Sequence, residues 1–144
     1  MDNRSPCQIV VDTNVLVAGL RSNQGASYQL LMRLNDPRWQ MNLSVGLVLE
    51  YEAVLKREQP KLFLTLEDID GLIDDICCFA NHQIIFYQWR PIAHDPNDDF
   101  VIDLAVRSQA NFIITYNLRD IQPAEQFGIQ VVTPKTFLQI MGEL

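Results

Sequence analysis

The sequence is short of the residues that most reaction mechanisms use near neutral pH. Its two histidines, His82 and His94, leave little material for a His-rich zinc site or a Ser-His-Asp relay. Its three cysteines are Cys7 in a strand-like run and the adjacent Cys77 and Cys78 in a helical pattern. None has C-x-x-C spacing, so packed, reduced thiols are expected rather than a redox pair. No apolar run is long enough to span a bilayer, and Met1-Asp2-Asn3-Arg4 lacks the basic region and apolar stretch of a signal peptide. The expected setting is therefore the cytoplasm, with no membrane partner. Basic residues are scarce as well: 11 Lys and Arg face 18 Asp and Glu, a formal net charge of −7. That is the opposite of the simple basic surface of a nucleic-acid-binding module. Acid and metal chemistry remain.

A chain of 144 residues that is 48% hydrophobic has the size and composition of one compact domain with a full core, here taken as residues 1–144. Strand-like runs occur at Cys7–Asp12, Met41–Val45, Ile84–Tyr87, Asn111–Thr115 and Ile129–Val132. Helical patterns occupy Gly25–Leu34, Val45–Arg57, Glu67–Ala80, Asp98–Gln109 and Pro134–Met141. This alternation predicts an α/β fold: a single parallel sheet flanked by helices on both faces, in three layers α/β/α. Thr133-Pro134 reads as an N-cap followed by proline at the first helical position. Thr65-Leu66-Glu67-Asp68 resembles a capping box, with Asp68 where Glu or Gln is usual. There is no internal repeat, low-complexity tract or linker, and the loop around Trp89-Arg90-Pro91 reads as an ordinary connection.

Four stretches place acids where such a fold binds ligands, beyond the carboxyl ends of its strands. The first strand ends at Asp12, a position that also suits a helix N-cap. In "SVGLVLEYEAVLKRE", Glu50 lies between Leu47 and Val54 on one helical face, whereas Glu52 precedes Lys56 by four, the order of an exposed pair. Glu50 is thus expected to face inward, although Val48 and Leu55 also claim the core. In "HDPNDDFVIDLAVRSQA", Asp98 shares a face with Val101, Leu104, Ala105 and Ser108, while Asp99 and Asp103 belong to the solvent side. Asp98 also suits the first turn of a helix, where it complements the dipole. Finally, "FIITYNLRDI" is a strand ending at Thr115, followed by a polar loop from Asn117 to Asp120. Asp12, Glu50, Asp98 and Asn117 or Asp120 can therefore gather at one sheet edge. Carboxylates about 5 Å apart repel by about 3 kcal/mol per pair at an effective dielectric near 20. Mg²⁺ or Mn²⁺, which favour carboxylate oxygen, would offset that repulsion.

Together these stretches resemble the PIN-domain family of metal-dependent ribonucleases, which includes the VapC-type toxins of bacterial toxin–antitoxin pairs. The likeness runs through "VVDTNVLV", "SVGLVLEYEAVLKR", "DPNDDFVIDLA" and "NFIITYN", in order and over nearly the whole chain. It implies that Asp12, Glu50 and Asp98 hold metal ions. The family's last acidic position departs from the usual Thr-x-Asp: this chain has Thr115-Tyr116-Asn117, with Asp120 three residues on. An amide oxygen can bind a hard cation but brings no negative charge. Asp120 is the expected compensation, and Asn117 a supporting group. Thr13 and Asn14 are expected to hydrogen-bond the loop and orient the Asp12 carboxylate.

The implied reaction is hydrolysis of RNA phosphodiester bonds, in which Mg²⁺ or Mn²⁺ lowers the pKa of water and neutralises developing charge. The implied partners are an RNA substrate, a small antitoxin and a second copy of the chain in a homodimer. RNA needs local basic help from this acidic chain, with Lys56, Arg57, Lys61, Arg107 and Arg119 as candidates. Two other readings are open. One is a catalytically degenerate PIN-fold binding module, favoured by Asn117. The other is a Mg-binding receiver-type signalling domain, disfavoured because paired acids ahead of a separate phosphoacceptor Asp and a strand-end Lys are missing. A haloacid-dehalogenase phosphatase is disfavoured as well, since Asp12-Thr13-Asn14-Val15 is not D-x-D-x-[TV].

Overall fold

Ile9, Val10 and Val11 are fully buried, as a parallel strand covered on both faces requires. They belong to β1 (Cys7–Val11), the central strand of a five-stranded sheet. The computed structural model describes residues 5–85 and 96–144, with the backbone alone for 96–99. In chain order after β1 come α1 (Thr13–Arg21), α2 (Ala26–Leu31), β2 (Trp39–Leu43), α3 (Val45–Glu58), α4 (Leu66–Phe79) and β3 (Asn81–His82). Then follow α5 (Pro96–Arg107), β4 (Phe112–Ile114), α6 (Leu118–Ile121), β5 (Gln130–Val132) and α7 (Pro134–Ile140). Short 3₁₀ segments at Gln59–Lys61 and Gln122–Phe127 extend α3 and α6.

The sheet order is β3-β2-β1-β4-β5, and all four pairings are parallel. Ile9 pairs with Met41 on one side and with Phe112 on the other. The chain thus builds outward from β1 through β2 to β3, then crosses to the far side for β4 and β5. Around the sheet α1 packs on α2 and α3, α3 on α4, and α2 on α7, while α5 lies along β1, β2 and β4. This is the expected three-layer α/β fold. Trp39 and Phe112 each meet the buried Phe137 ring edge-on, at centroid distances of 5.2 and 5.3 Å, and so lock α7 onto the sheet.

Local signals explain most boundaries. Ser44 caps α3 by accepting from Leu47 N at 3.2 Å, which ends β2 at Leu43 rather than at Val45. The Thr65 capping box closes in both directions, Asp68 N donating to Thr65 Oγ1 at 3.1 Å and Thr65 N to Asp68 Oδ2 at 2.9 Å. Asp therefore substitutes for the usual Glu. At α7, Thr133 accepts from Thr136 N ahead of Pro134.

Besides α6, which takes the place of the polar loop expected from Asn117 to Asp120, two elements differ from the sequence expectation. The third strand is Asn81–His82, pairing with Asn42 and Leu43, and Gln83 N extends the ladder to Leu43 O at 2.8 Å. This is an exposed polar edge with no apolar pattern, whereas Ile84 of the expected Ile84–Tyr87 strand is 80% exposed. Residues 86–87, the Trp89-Arg90-Pro91 loop and His94 lie outside the described residues. The second difference is α1, for which the sequence pattern gives no separate helix. Its Val15, Leu16 and Gly19 are buried at helical spacing, but they continue the apolar run of β1 with only Asp12 to mark the change.

Two helices end in the same way with different residues. After α5, Gln109 sits at φ 53°, with Gln109 N bonded to Val106 O and Ala110 N to Ala105 O. After α7, Gly142 sits at φ 80°, with Gly142 N bonded to Gln139 O and Glu143 N to Leu138 O. Both are Schellman closures, whose left-handed residue is best supplied by glycine. Gln109→Gly should therefore stabilise the protein by up to about 1 kcal/mol, and Gly142→Ala should destabilise it by about 1 kcal/mol. Urea denaturation checks both, and a loss of stability in Gln109→Gly would contradict the assignment.

Candidate active site

In a sheet of this order the connections leave β1 and β4 toward opposite sides, so a crevice opens beyond their carboxyl ends, where such folds bind ligands. The residues that follow these two strands are Asp12 and Thr115. Asp12 is 7% exposed and caps α1. A carboxylate so withdrawn from water needs hydrogen-bond donors, and the local chain supplies them. Oδ1 accepts from Thr13 N at 2.8 Å. Oδ2 accepts from the buried Thr115 Oγ1 at 2.7 Å and, more weakly, from Asn14 Nδ2 at 3.4 Å.

The Thr115 hydroxyl is used in full, since it donates to Asp12 and accepts from Asn117 N at 2.9 Å and from Asn14 Nδ2 at 3.4 Å. Asn14 closes the joint from the other side, its Oδ1 accepting from Tyr116 N at 3.2 Å. Thr13 also reaches across to α3, where its Oγ1 donates to Glu50 Oε2 at 2.7 Å. One residue therefore holds both carboxylates, Asp12 through its backbone and Glu50 through its side chain.

Glu50 reaches this point because the buried stripe of α3 is Leu47, Tyr51 and Leu55, which leaves Glu50 and Val54 half-buried on its flank. Glu52 faces outward and pairs with Lys56 at 3.0 Å, as its spacing predicts. Beneath the site the fully buried Tyr51 hydroxyl donates to Val11 O. Burial, reinforced by the charges of Asp12 and Glu50, pushes this phenol well above its ordinary pKa. Burial also raises the Cys7 and Cys77 thiols, in keeping with packed, protonated sulfur.

Asp12, Thr13, Asn14, Glu50 and Asn117 line an open cleft of about 570 Å³, whose walls are continued by Val17, Ala18, Val54, Arg21, Arg57 and Glu58. The fold thus brings together Asp12, Glu50 and Asn117 from three separate parts of the chain. It does not bring in Asp120, which lies exposed in the first turn of α6 and outside this lining. Asp98 occupies the first turn of α5, but its side chain, like that of Asp99, lies outside the described residues. Asp103 is half-buried rather than fully solvent-facing. Among the described residues no group of three His, Cys, Asp or Glu side chains is placed to hold a metal ion.

Two residues of the cleft, Arg21 and Glu58, carry no motif that marks them in the sequence. Arg21 Nη2 meets Glu58 Oε2 at 2.9 Å, while Arg57 Nε and Lys61 Nζ each stand 3.8 Å from the same carboxylate. Arg21 ends α1, so recognising that helix would have placed it along the same cleft wall as Asp12. Of the other basic candidates, Lys56 is engaged by Glu52 and Asp70, and Arg119 lies beside a separate surface hollow with Gln122 and Pro123.

A family model described as PIN domain matches residues 8–119. The chain belongs to the PIN-domain family. Solved structures that share the fold include two VapBC complexes. VapBC2 from Rickettsia felis, bound to a DNA fragment from their promoter, superposes with a TM-score of 0.57 at 13% identity, over 86% of this chain and 96% of that one. VapBC-1 from nontypeable Haemophilus influenzae does so with a TM-score of 0.58 at 15% identity, over 89% and 98% of the two chains. No curated protein matches the sequence. Membership of the PIN family sets aside the receiver-type alternative, and no helix among the described residues is long and apolar enough to cross a membrane.

The buried phenol sets an alkaline limit on stability. Because the folded protein holds the Tyr51 proton more tightly than the unfolded chain, whose tyrosine pKa is about 10, its contribution is complete below that value. It is lost as pH rises from about 10 toward the higher folded value. Tyr51→Phe should cost about 0.5–1.5 kcal/mol at neutral pH, through the lost bond to Val11 O, and should flatten the decline above pH 10. Denaturation at a series of alkaline pH values, with phenolate absorbance as a second reading, checks this. An unchanged slope in the variant would refute it.

Proposed function

We propose that this PIN-domain protein is a Mg²⁺- or Mn²⁺-dependent endoribonuclease and the toxin of a toxin–antitoxin pair. The observation that carries the reading is the pair Asp12 and Glu50, joined through Thr13 at the carboxyl-end crevice of the sheet. Their oxygens, with the amide oxygen of Asn117, which lines the same cleft, would supply the hard donors that Mg²⁺ and Mn²⁺ favour. Asp12, Glu50 and, from the sequence, Asp98 would hold the ion, with Asn117 in support. The ion, when bound, supplies neutralisation of the carboxylates and of the charge that develops as water displaces a phosphate ester oxygen.

The chain's own residues set the geometry for this. Thr13 N, Thr115 Oγ1 and Asn14 Nδ2 aim the Asp12 carboxylate, and the Thr13 hydroxyl aims Glu50. Such outer partners are worth about 10–100-fold in metal affinity or activity. Likeness of fold to the VapBC structures supports a small antitoxin as protein partner, and a homodimer is proposed alongside it. Asp120, exposed and outside the lining of the cleft, has no part in this donor set as proposed.

Asn117 favours a second reading, a PIN-fold binding module that has lost activity, and one assay separates the two. Purified protein should cleave single-stranded RNA in Mg²⁺ or Mn²⁺ and stop on chelation. Asp12→Asn should lose more than about 100-fold, Thr13→Val about 10–100-fold, and Asp120→Asn should stay near wild type. RNA left intact by wild type in both metals would favour the module.

Metal binding has a readout without substrate. An ion at about a hundredfold over its dissociation constant adds about 2.7 kcal/mol of stability, so Mn²⁺ should raise the melting temperature of wild type and much less that of Asp12→Asn. Equal responses would remove Asp12 from any metal site.

A further inference from the structure

The cleft has a second end. Glu58, 17% exposed, is surrounded by Arg21, Arg57 and Lys61 at 2.9, 3.8 and 3.8 Å. Three cations around one anion leave a local surplus of +2 in a chain whose net charge is −7. Two of them, Arg21 and Arg57, line the same cleft as Asp12 and Glu50. Arg21 hydrogen-bonds Glu58 through Nη2 only, among the described residues. The edge carrying its other N–H groups remains for a ligand, in the fork geometry that suits phosphate. Glu58 therefore acts as a tether that holds Arg21 at the wall without consuming its donors.

The helices give the spacing. Arg57 is seven residues beyond Glu50 on α3, two turns or about 10 Å along the axis, and Arg21 ends the helix that Asp12 begins. Arg21 and Arg57 thus spring from the cleft walls two helical turns or more from Asp12 and Glu50, a displacement that suits a phosphate next to the reacting one. We infer that Arg21 and Arg57 form a subsite for a backbone phosphate of single-stranded RNA neighbouring the scissile one, with Glu58 positioning Arg21. The inference rests on the ribonuclease reading for its choice of ligand. It also answers how an acidic chain holds a polyanion: the acidic and basic ends of one cleft are separated, so the strand is gripped beside the reaction centre rather than on it. Phosphate contacts of this kind position the strand and carry no sequence information.

The test separates binding from cleavage. Fluorescence anisotropy with mixed-sequence single-stranded RNA oligonucleotides, in chelator and over a range of salt, should give weaker binding for Arg21→Gln and for Arg57→Gln. The slope of log affinity against log salt should fall by about 0.7 for each phosphate no longer neutralised, equally for every sequence tried. Arg119→Gln, outside the cleft, should bind as wild type does. In metal, the two cleft variants should raise KM and leave kcat near the wild-type value, with unchanged melting temperatures reporting intact folding. If both cleft variants bind like wild type, or Arg119→Gln weakens binding as much as they do, the subsite is refuted. Binding by an acidic peptide that depends on Arg21 while RNA binding does not would equally refute it. A wild type that binds RNA through Arg21 and Arg57 yet cleaves none in Mg²⁺ or Mn²⁺ keeps the subsite and sinks the nuclease. A wild type that cleaves RNA with no response to either substitution does the reverse.

Discussion

The hydrogen bond from Thr115 Oγ1 to Asp12 Oδ2, 2.7 Å long and buried, is the constraint on which the site depends. It joins the ends of β1 and β4, 103 residues apart in sequence, at the place where the connections part to opposite sides of the sheet. A charge at that depth would be costly if it were not so bonded. With the bond, the carboxylate becomes a fixed point from which Thr13 and Asn14 extend the order, Thr13 to Glu50 on α3 and Asn14 to the backbone of Tyr116.

The network is built from few residue types. Thr13, Asn14 and Thr115 are short polar side chains with few rotamers, and each bridges at least two partners. Ordering them costs less conformational entropy than ordering long charged side chains would. Every described buried side-chain oxygen and nitrogen has a partner, including the fully buried Asn42, which bonds Gln8 Oε1 at 2.9 Å within the sheet. Satisfied polar groups of this kind tie strands to one another in a core otherwise built of Ile, Val and Leu.

Much of the fold was legible because its signals are local. The alternation of apolar runs with helical faces set the layers, and caps such as Thr65 and Thr133 with Pro134 set the helix starts. The failures have local causes too. The α1 helix was hidden because Val15, Leu16 and Gly19 continue the apolar composition of β1 without a break. The edge strand Asn81–His82 was hidden because an exposed strand end needs no apolar residues, while Ile84 and Ile85 offered a false signal two residues later. With α1 hidden, Arg21 was hidden too, although Arg57 and Lys61, which share its end of the cleft, stood out as basic candidates.

The sequence alone determined that acids follow strands, that Glu50 rather than Glu52 turns inward, and that the pattern is that of a PIN domain, since periodicity and motif order are properties of neighbouring residues. Only the tertiary structure decided which of these groups meet. It set Asn117 in the cleft and Asp120 outside it, although three residues separate them, because the first turn of α6 begins between the two. It likewise made Thr13 the link between Asp12 and Glu50, and put Arg21 and Glu58 together across 37 residues. Such pairings follow from the parallel register of β1 with β2 and β4 and from the packing of α1 on α3. They are long-range contacts that no local pattern of residues encodes.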